Sequence, residues 1–231
     1  MLRGIGCALD IRRRLVPRQR WADLKEAGSG MQRVGIIGGG AWGTALAEVA
    51  RRAGRDVTLW ALEPEVVAAV NSQHRNPVYL ADVPLDPAIV ATGDMVEVAH
   101  AEIVLLVAPA QHLRRLCATL SLHIKPGTPV VICAKGIERG TSALMTDAVA
   151  EALPAAAMMV LSGPTFAREV ALGLPTAITL GAADQALGRK VAEAIGSPTF
   201  RPYLTDDVVG AEVGGAVKNV LAIGCGMADG K

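Results

Sequence analysis

The stretch "VGIIGGGAWGTALA", Val34 to Ala47, decides how the rest of the chain is read. "RVGII", residues 33–37, is a short apolar run of the kind that makes a buried strand. Gly38, Gly40 and Gly43 follow in G-x-G-x-x-G spacing, and from about Trp42 to Ala53 the apolar pattern turns helical. In that setting Gly38 allows a tight turn, Gly40 lets the backbone approach a pyrophosphate, and Gly43 lets helix and strand pack closely. The helix N-terminus adds free N–H groups and a partial positive charge. A glycine-rich turn of purely structural use can carry the same letters. The strand before it and the helix after it make this one a dinucleotide-binding signature.

Outward from that loop, short apolar strands alternate with amphipathic helices, the pattern of βαβ units on a parallel sheet. "DVTLW" is the second strand, and Pro64 opens the helix "PEVVAAVNS". "RNPVYLADVPLDPAIVATGD" (75–94) reads as a loop. "EIVLLVA", "PVVICA", "AMMVLSG" and "TAITLG" read as strands, and "TFRPYL" as extended chain. The helices between them are "AQHLRRLCATL", "SALMTDAVAEAL", a short turn at "TFAREVA", and "DQALGRKVAEAIG". A last helix is expected from near Thr205. The fold predicted is α/β, a Rossmann-type doubly wound sheet.

Composition agrees with this. In 231 residues, 51% are hydrophobic and only 3% aromatic, so the core is built of Ala, Val, Leu, Ile and Gly, as in helices packed on a parallel sheet. Residues 1–30 hold seven of the 23 basic and three of the 22 acidic residues. That leaves 16 basic and 19 acidic from Met31 on, a net −3 that speaks against a nucleic-acid footprint. The first thirty residues, including the helix-like "RQRWADLKEA" and then "GSG", are expected to be a disordered extension. Their three acids argue against a transit peptide. Cys7, Cys117, Cys133 and Cys225 show no CxxC or Cys/His spacing, so no metal site is expected. Cys117, Cys133 and Cys225 read as small buried hydrophobes in a reducing compartment. No uncharged run reaches the ~18 residues of a membrane span, and a soluble, cytoplasmic protein is expected.

Three further residues stand out. Glu63, near the end of the second strand, could hold a ribose 2′-OH or could simply complement the positive end of the next helix. Lys135 follows a buried strand at the edge where ligands bind in such sheets, and can equally be a turn lysine in "CAKGIERG". Lys218 is the only charge between Glu212 and Asp229, in what reads as a buried helix. Its neighbours at three and four residues, Gly214, Gly215, Leu221 and Ala222, cannot pair with it. Gly214 and Gly215 each cost about 1 kcal/mol against Ala in a helix, tolerable where a ligand or another backbone must come close. A desolvated ammonium there can act as general acid and base on a carbonyl; a lysine snorkelling to water is the plain alternative.

Taken in order, "GGGAWGTALA", "AKGIERGT", "LSGPTFAREVALGLPTA" and "GAEVGGAVKNVLAIGCGMADG" resemble the bacterial-type NAD(P)-dependent glycerol-3-phosphate dehydrogenases, over roughly Arg33 to Lys231. The resemblance implies reversible reduction of dihydroxyacetone phosphate to sn-glycerol 3-phosphate, feeding phospholipid synthesis, with NAD or NADP as cofactor. It implies that Ala41, where the family usually has Ser, and Trp42 contact the cofactor beside Gly38, Gly40 and Gly43. By the same resemblance Lys135 would reach both cofactor and substrate, Gly163 and Thr165 would bind substrate, Ala167 would meet the cofactor, and Lys218 would be the catalytic lysine. Leu62 stands where the family often has a base, which weakens a case for NADP. The implied domains are 31–204, dinucleotide-binding, and 205–231, the first helix of an all-α substrate domain. The family's C-terminal region adds further substrate-binding residues that this sequence does not contain, so the 231-residue chain is expected to turn over little or no substrate. A homodimer fits the resemblance.

Two other readings fit part of the pattern. A related two-domain hydroxy-acid dehydrogenase would share the lysine helix, but "AKG" and "SGPTFA" favour the glycerol phosphate enzymes. A non-catalytic dinucleotide-binding module would keep the glycine loop and have no need of Lys218.

Overall fold

The computed structural model describes residues 30–230; the expected extension, its helix and Cys7 lie outside the described residues. Strands β1 (Arg33–Ile37), β2 (Asp56–Trp60), β3 (Ile89–Thr92), β4 (Ile103–Leu106), β5 (Pro129–Ile132), β6 (Ala157–Ser162), β7 (Thr176–Ala182) and β8 (Phe200–Thr205) form one sheet in the order β3-β2-β1-β4-β5-β6-β7-β8. The order reverses at β1, between β2 and β4, which creates the crevice where doubly wound sheets bind ligands. β3 through β6 run parallel; β7 pairs antiparallel with β6 and parallel with β8, so the last two strands run opposite to the rest. The all-parallel expectation fails there. "TAITLG" carries no local signal of its direction.

Helices cover both faces. α1 (Ala41–Arg52), α2 (Pro64–Gln73), α6 (Ala167–Ala171) and α7 (Gln185–Ile195) bury apolar residues on one face. α3 (Met95–Ala99), α4 (Leu113–Leu120) and α5 (Met145–Ala152) do so on the other, joined by the start of α8 (Val208–Asp229). The sequence reading missed β3 and α3, both inside or beside the stretch taken as a loop. β3 is an edge strand of four residues with Val90 exposed, too short to show an alternating pattern. α3 is one turn, capped by the Asp94 carboxylate accepting from the Val96 N–H at 2.8 Å.

α8 differs most from expectation. Its first two turns pack on β6 and β7, where a Cβ on Gly181 would meet Val208 and Ala211. The buried Glu212 ties it to α5, accepting from the Thr146 N–H at 3.1 Å and its hydroxyl at 2.7 Å. Beyond Lys218 the apolar side chains are exposed: Val220 at 71% and Met227 at 77%. Cys225 is exposed too, against the expectation of burial. Apolar spacing marks a face made for packing, without saying that its cover lies among the described residues. No single helix among the described residues is long and apolar enough to cross a membrane; the two halves of α8, bent by 46°, approach that composition only when taken together.

Candidate functional site

The register of the parallel strands sets out the site. Trp60, Ile37, Leu106, Ile132 and Val160 form one row across β2, β1, β4, β5 and β6. Three residues beyond each member of that row stand Glu63, Gly40, Pro109, Lys135 and Gly163. Parallel strands carry every chain out of the same edge, so residues far apart in sequence arrive side by side.

Glycine geometry shapes the middle of this edge. Gly38 has φ +127°, a conformation that L side chains rarely adopt, and a Cβ on it would lie 2.6 Å from the Ala108 nitrogen. A Cβ on Gly43 would sit 1.8 Å from the Gly38 carbonyl oxygen. Both positions therefore require glycine for close approach. Gly40 is different: a Cβ there meets nothing within 4 Å, because the position faces open space. No side chain caps the N-terminus of α1, and no acid stands in its first turn. Its free N–H groups and partial positive charge are left to an external anion.

That open space is a cleft of about 670 Å³. Gly38, Gly40, Ala41, Trp42, Gly43 and Glu63 all line it, as the sequence grouped them. The structure adds residues that the sequence reading did not single out: Trp60, Tyr79, His112, Arg115, Leu116 and Thr119. Glu63 caps nothing with its side chain; its carboxylate instead accepts from the Tyr79 hydroxyl at 2.7 Å. That bond, with the nearby negative charge of Glu63, pushes the Tyr79 phenol above its ordinary range. Asn76, fully buried, holds the glycine loop from behind, its amide donating to the Gly39 carbonyl and the Thr44 hydroxyl at 2.8 Å each. "RNPVYL" contains both Asn76 and Tyr79, but only the fold carries them back to the glycine loop.

A second cluster lies beside the cleft, beyond β5 and β6. Lys135 donates from Nζ to the Gly163 carbonyl at 3.0 Å, and the same oxygen accepts from the Thr165 N–H at 3.1 Å. Lys218 is half-buried, with Nζ 5.9 Å from the Phe166 ring centroid. Gly215 explains the close approach of α8: a Cβ there would lie 2.5 Å from Ser162 Oγ and 3.6 Å from Lys135 Cγ. Partial burial of the Lys135 ammonium, then repulsion from Lys218, holds its pKa below the usual lysine range. Two cations stand beside a glycine carbonyl and a ring at this sheet edge, which concentrates positive charge there. The arrangement joins Lys135, Gly163, Thr165 and Lys218. Ala167 lines neither the cleft nor this cluster; it starts α6 and packs on the core.

The cysteines and acids offer nothing similar. Burial pushes the Cys117 thiol up to about 12 and the Cys133 thiol higher still. Among the described residues no group of three His, Cys, Asp or Glu side chains could hold a metal ion.

Comparison with known proteins covers most of the same stretch of chain. The family described as NAD-dependent glycerol-3-phosphate dehydrogenase N-terminus matches residues 33–188, and its C-terminus counterpart matches residues 207–231. A glycerol-3-phosphate dehydrogenase [NAD(P)+] of Paramagnetospirillum magneticum is 61% identical over 201 residues, covering 87% of this chain and 73% of that protein. The enzyme of the same name from Caulobacter vibrioides is 58% identical over 200 residues, covering 87% of this chain and 60% of its own length. The crystal structure of glycerol-3-phosphate dehydrogenase from Coxiella burnetii superposes with a TM-score of 0.80 at 33% identity, over 87% of this chain and 62% of that one. The chain thus spans about three fifths to three quarters of the length of these relatives.

Proposed function

The chain belongs to the NAD-dependent glycerol-3-phosphate dehydrogenase family, and from that premise we propose that it serves the reversible reduction of dihydroxyacetone phosphate to sn-glycerol 3-phosphate with NAD(H) or NADP(H). The observation that carries the proposal is the placing of the Lys135–Gly163–Lys218 cluster one strand away from the glycine-loop cleft, on a shared sheet edge. In this reading residues 31–204 are the dinucleotide-binding domain and 205–231 the opening of a helical substrate domain. The product would supply glycerophospholipid synthesis in the cytoplasm.

The residues fit a dinucleotide. Gly40 leaves the room a pyrophosphate needs, uncapped N–H groups of α1 face it, and Glu63 offers an acceptor for a ribose hydroxyl. Trp42, Ala41 and Leu116 supply apolar wall. The bound nicotinamide would supply the hydride. Lys135 neutralises and orients the substrate phosphate or its carbonyl end. Lys218 donates a proton to the carbonyl oxygen as it becomes an alkoxide, and takes it back in the reverse direction. Gly215 lets α8, the helix that carries Lys218, come close to Ser162 and Lys135.

The test is spectrophotometric: NADH oxidation by the purified protein, with dihydroxyacetone phosphate compared against 2-keto acids. Activity on the keto acids and none on dihydroxyacetone phosphate would refute the substrate assignment.

A further inference from the structure

Helix α4 and the turn before it present three faces. Leu113, Cys117 and Leu120 are buried and fix the helix to the sheet. His112, Arg115, Leu116 and Thr119, spaced three and four apart, line the dinucleotide cleft. Gln111 and Arg114 turn a third way, toward the loop that leaves β5 and carries Lys135.

The grip on that loop is extensive. Gln111 holds it twice, its amide donating to the Ile137 carbonyl at 2.9 Å and its side-chain oxygen accepting from the Arg139 N–H at 2.9 Å. Arg114 forks onto Glu138, with Nε and Nη2 each donating to a separate carboxylate oxygen at 2.8 Å. Its remaining nitrogen, Nη1, reaches Glu151 at 2.5 Å. The Thr141 hydroxyl donates to the same Glu138 carboxylate at 2.6 Å. Gly136, with φ +142°, turns the chain immediately after Lys135, and a Cβ on it would lie 3.3 Å from Ala110 at the start of the α4 region. Arg114 and then Thr141 hold the Glu138 carboxyl down to about 2, so the fork stays charged at any working pH.

We propose that Gln111 and Arg114 are positioning residues for Lys135: through Ile137, Glu138 and Arg139 they lock the loop against α4. One rigid helix then sets the spacing between the dinucleotide cleft and the Lys135 ammonium. Isolated surface ion pairs contribute little stability, but a two-pronged guanidinium–carboxylate bond fixes geometry as a single lysine contact cannot. The inference rests on reading the cleft as an NAD(H) site and Lys135 as a ligand-facing cation.

The test uses the 231-residue chain and the variants Arg114→Lys, Glu138→Gln and Gln111→Ala. Competitive acetylation with acetic anhydride across pH, read by mass spectrometry of the Lys135 peptide, gives the titration of that amine. Tryptophan fluorescence gives NADH affinity in parallel. Arg114→Lys keeps the charge and removes the fork; Gln111→Ala leaves the ion pair alone. The titration midpoint of Lys135 should move up toward that of an ordinary lysine in each variant, with NADH still bound. Arg114→Lys combined with Glu138→Gln should shift it no further than either alone. A Lys135 titration identical to wild type in both Arg114→Lys and Gln111→Ala, with NADH still bound, overturns the inference and leaves the functional reading standing. Wild-type protein that binds no NADH overturns the functional reading, and the inference with it.

Discussion

Substituting valine for Gly40 separates binding from folding. Gly40 has φ −69° and ψ 179°, ordinary extended backbone for any L residue, and its added Cβ meets nothing within 4 Å. The folded state therefore gains no clash, and loss of glycine's freedom in the unfolded chain favours folding by roughly 0.4–1 kcal/mol. The side chain would instead stand in the cleft, where the pyrophosphate must approach the N-terminus of α1. At least a tenfold loss of NADH affinity is expected, about 1.4 kcal/mol. Gly43→Ala is the counter-experiment. Its methyl would lie 1.8 Å from the Gly38 carbonyl oxygen, and that is backbone held by Gly38 donating to the Trp60 carbonyl at 3.0 Å. Forcing helix and turn apart costs about 1–3 kcal/mol or more, lowering Tm by roughly 2–4 °C per kcal/mol at this size. Trp42 and Trp60 both line the cleft, so intrinsic fluorescence reports NADH binding while thermal melting reports stability. Unchanged NADH affinity in Gly40→Val refutes the reasoning, as does a wild-type Tm in Gly43→Ala.

Glu63 on the cleft wall would meet the 2′-phosphate of NADPH with like charge, so NADH should bind at least as tightly, and Glu63→Gln should narrow the difference. Binding constants for both cofactors decide this, and a strong NADPH preference in the wild type contradicts it. Lys218→Met should lower kcat by about 10²–10⁴-fold while leaving NADH affinity nearly intact; a kcat within a few fold of wild type would remove Lys218 from the proton transfer. Glu138 has its pKa depressed in the fold, from an ordinary carboxylate's 4.5 to about 2, so the stability it contributes is complete above about 4.5 and is lost as pH falls toward 2. Glu138→Gln should make that acid limb of the Tm profile shallower, Asp82 and Glu102 supplying the remainder; an unaltered acid limb would mean that the fork adds no stability.

The glycine loop was legible because its meaning is local: a strand, three glycines at fixed spacing and a helix lie within fifteen residues. Lys135, Gly163 and Lys218 stand out as single residues in short motifs; the sheet register brings the first two together, and the packing of α8 at Gly215 brings Lys218. What was not legible depended on distance or direction. Tyr79 and Asn76 sit in a proline-rich loop whose return to Glu63 and Gly39 no periodicity announces. Arg115 and Arg114 are adjacent letters with separate tasks, one facing the cleft and one the Lys135 loop, which only the rotation of α4 distinguishes. The reversal of β7 leaves no trace in "TAITLG", because an antiparallel and a parallel buried strand need the same apolar side chains. The apolar neighbours of Cys225 predict burial, yet the second half of α8 exposes them.

The central claim is that one sheet edge holds a dinucleotide in the glycine-loop cleft and turns its reactive end toward Lys135 and Lys218. A crystal structure of the chain with NADH tests it most directly. The account predicts the pyrophosphate at the backbone of Gly40 and Ala41, the adenosine ribose by Glu63, and the nicotinamide directed toward Lys135. NADH bound elsewhere, or lying in the cleft with its nicotinamide beside Glu63 and its adenine toward Lys135, would contradict it.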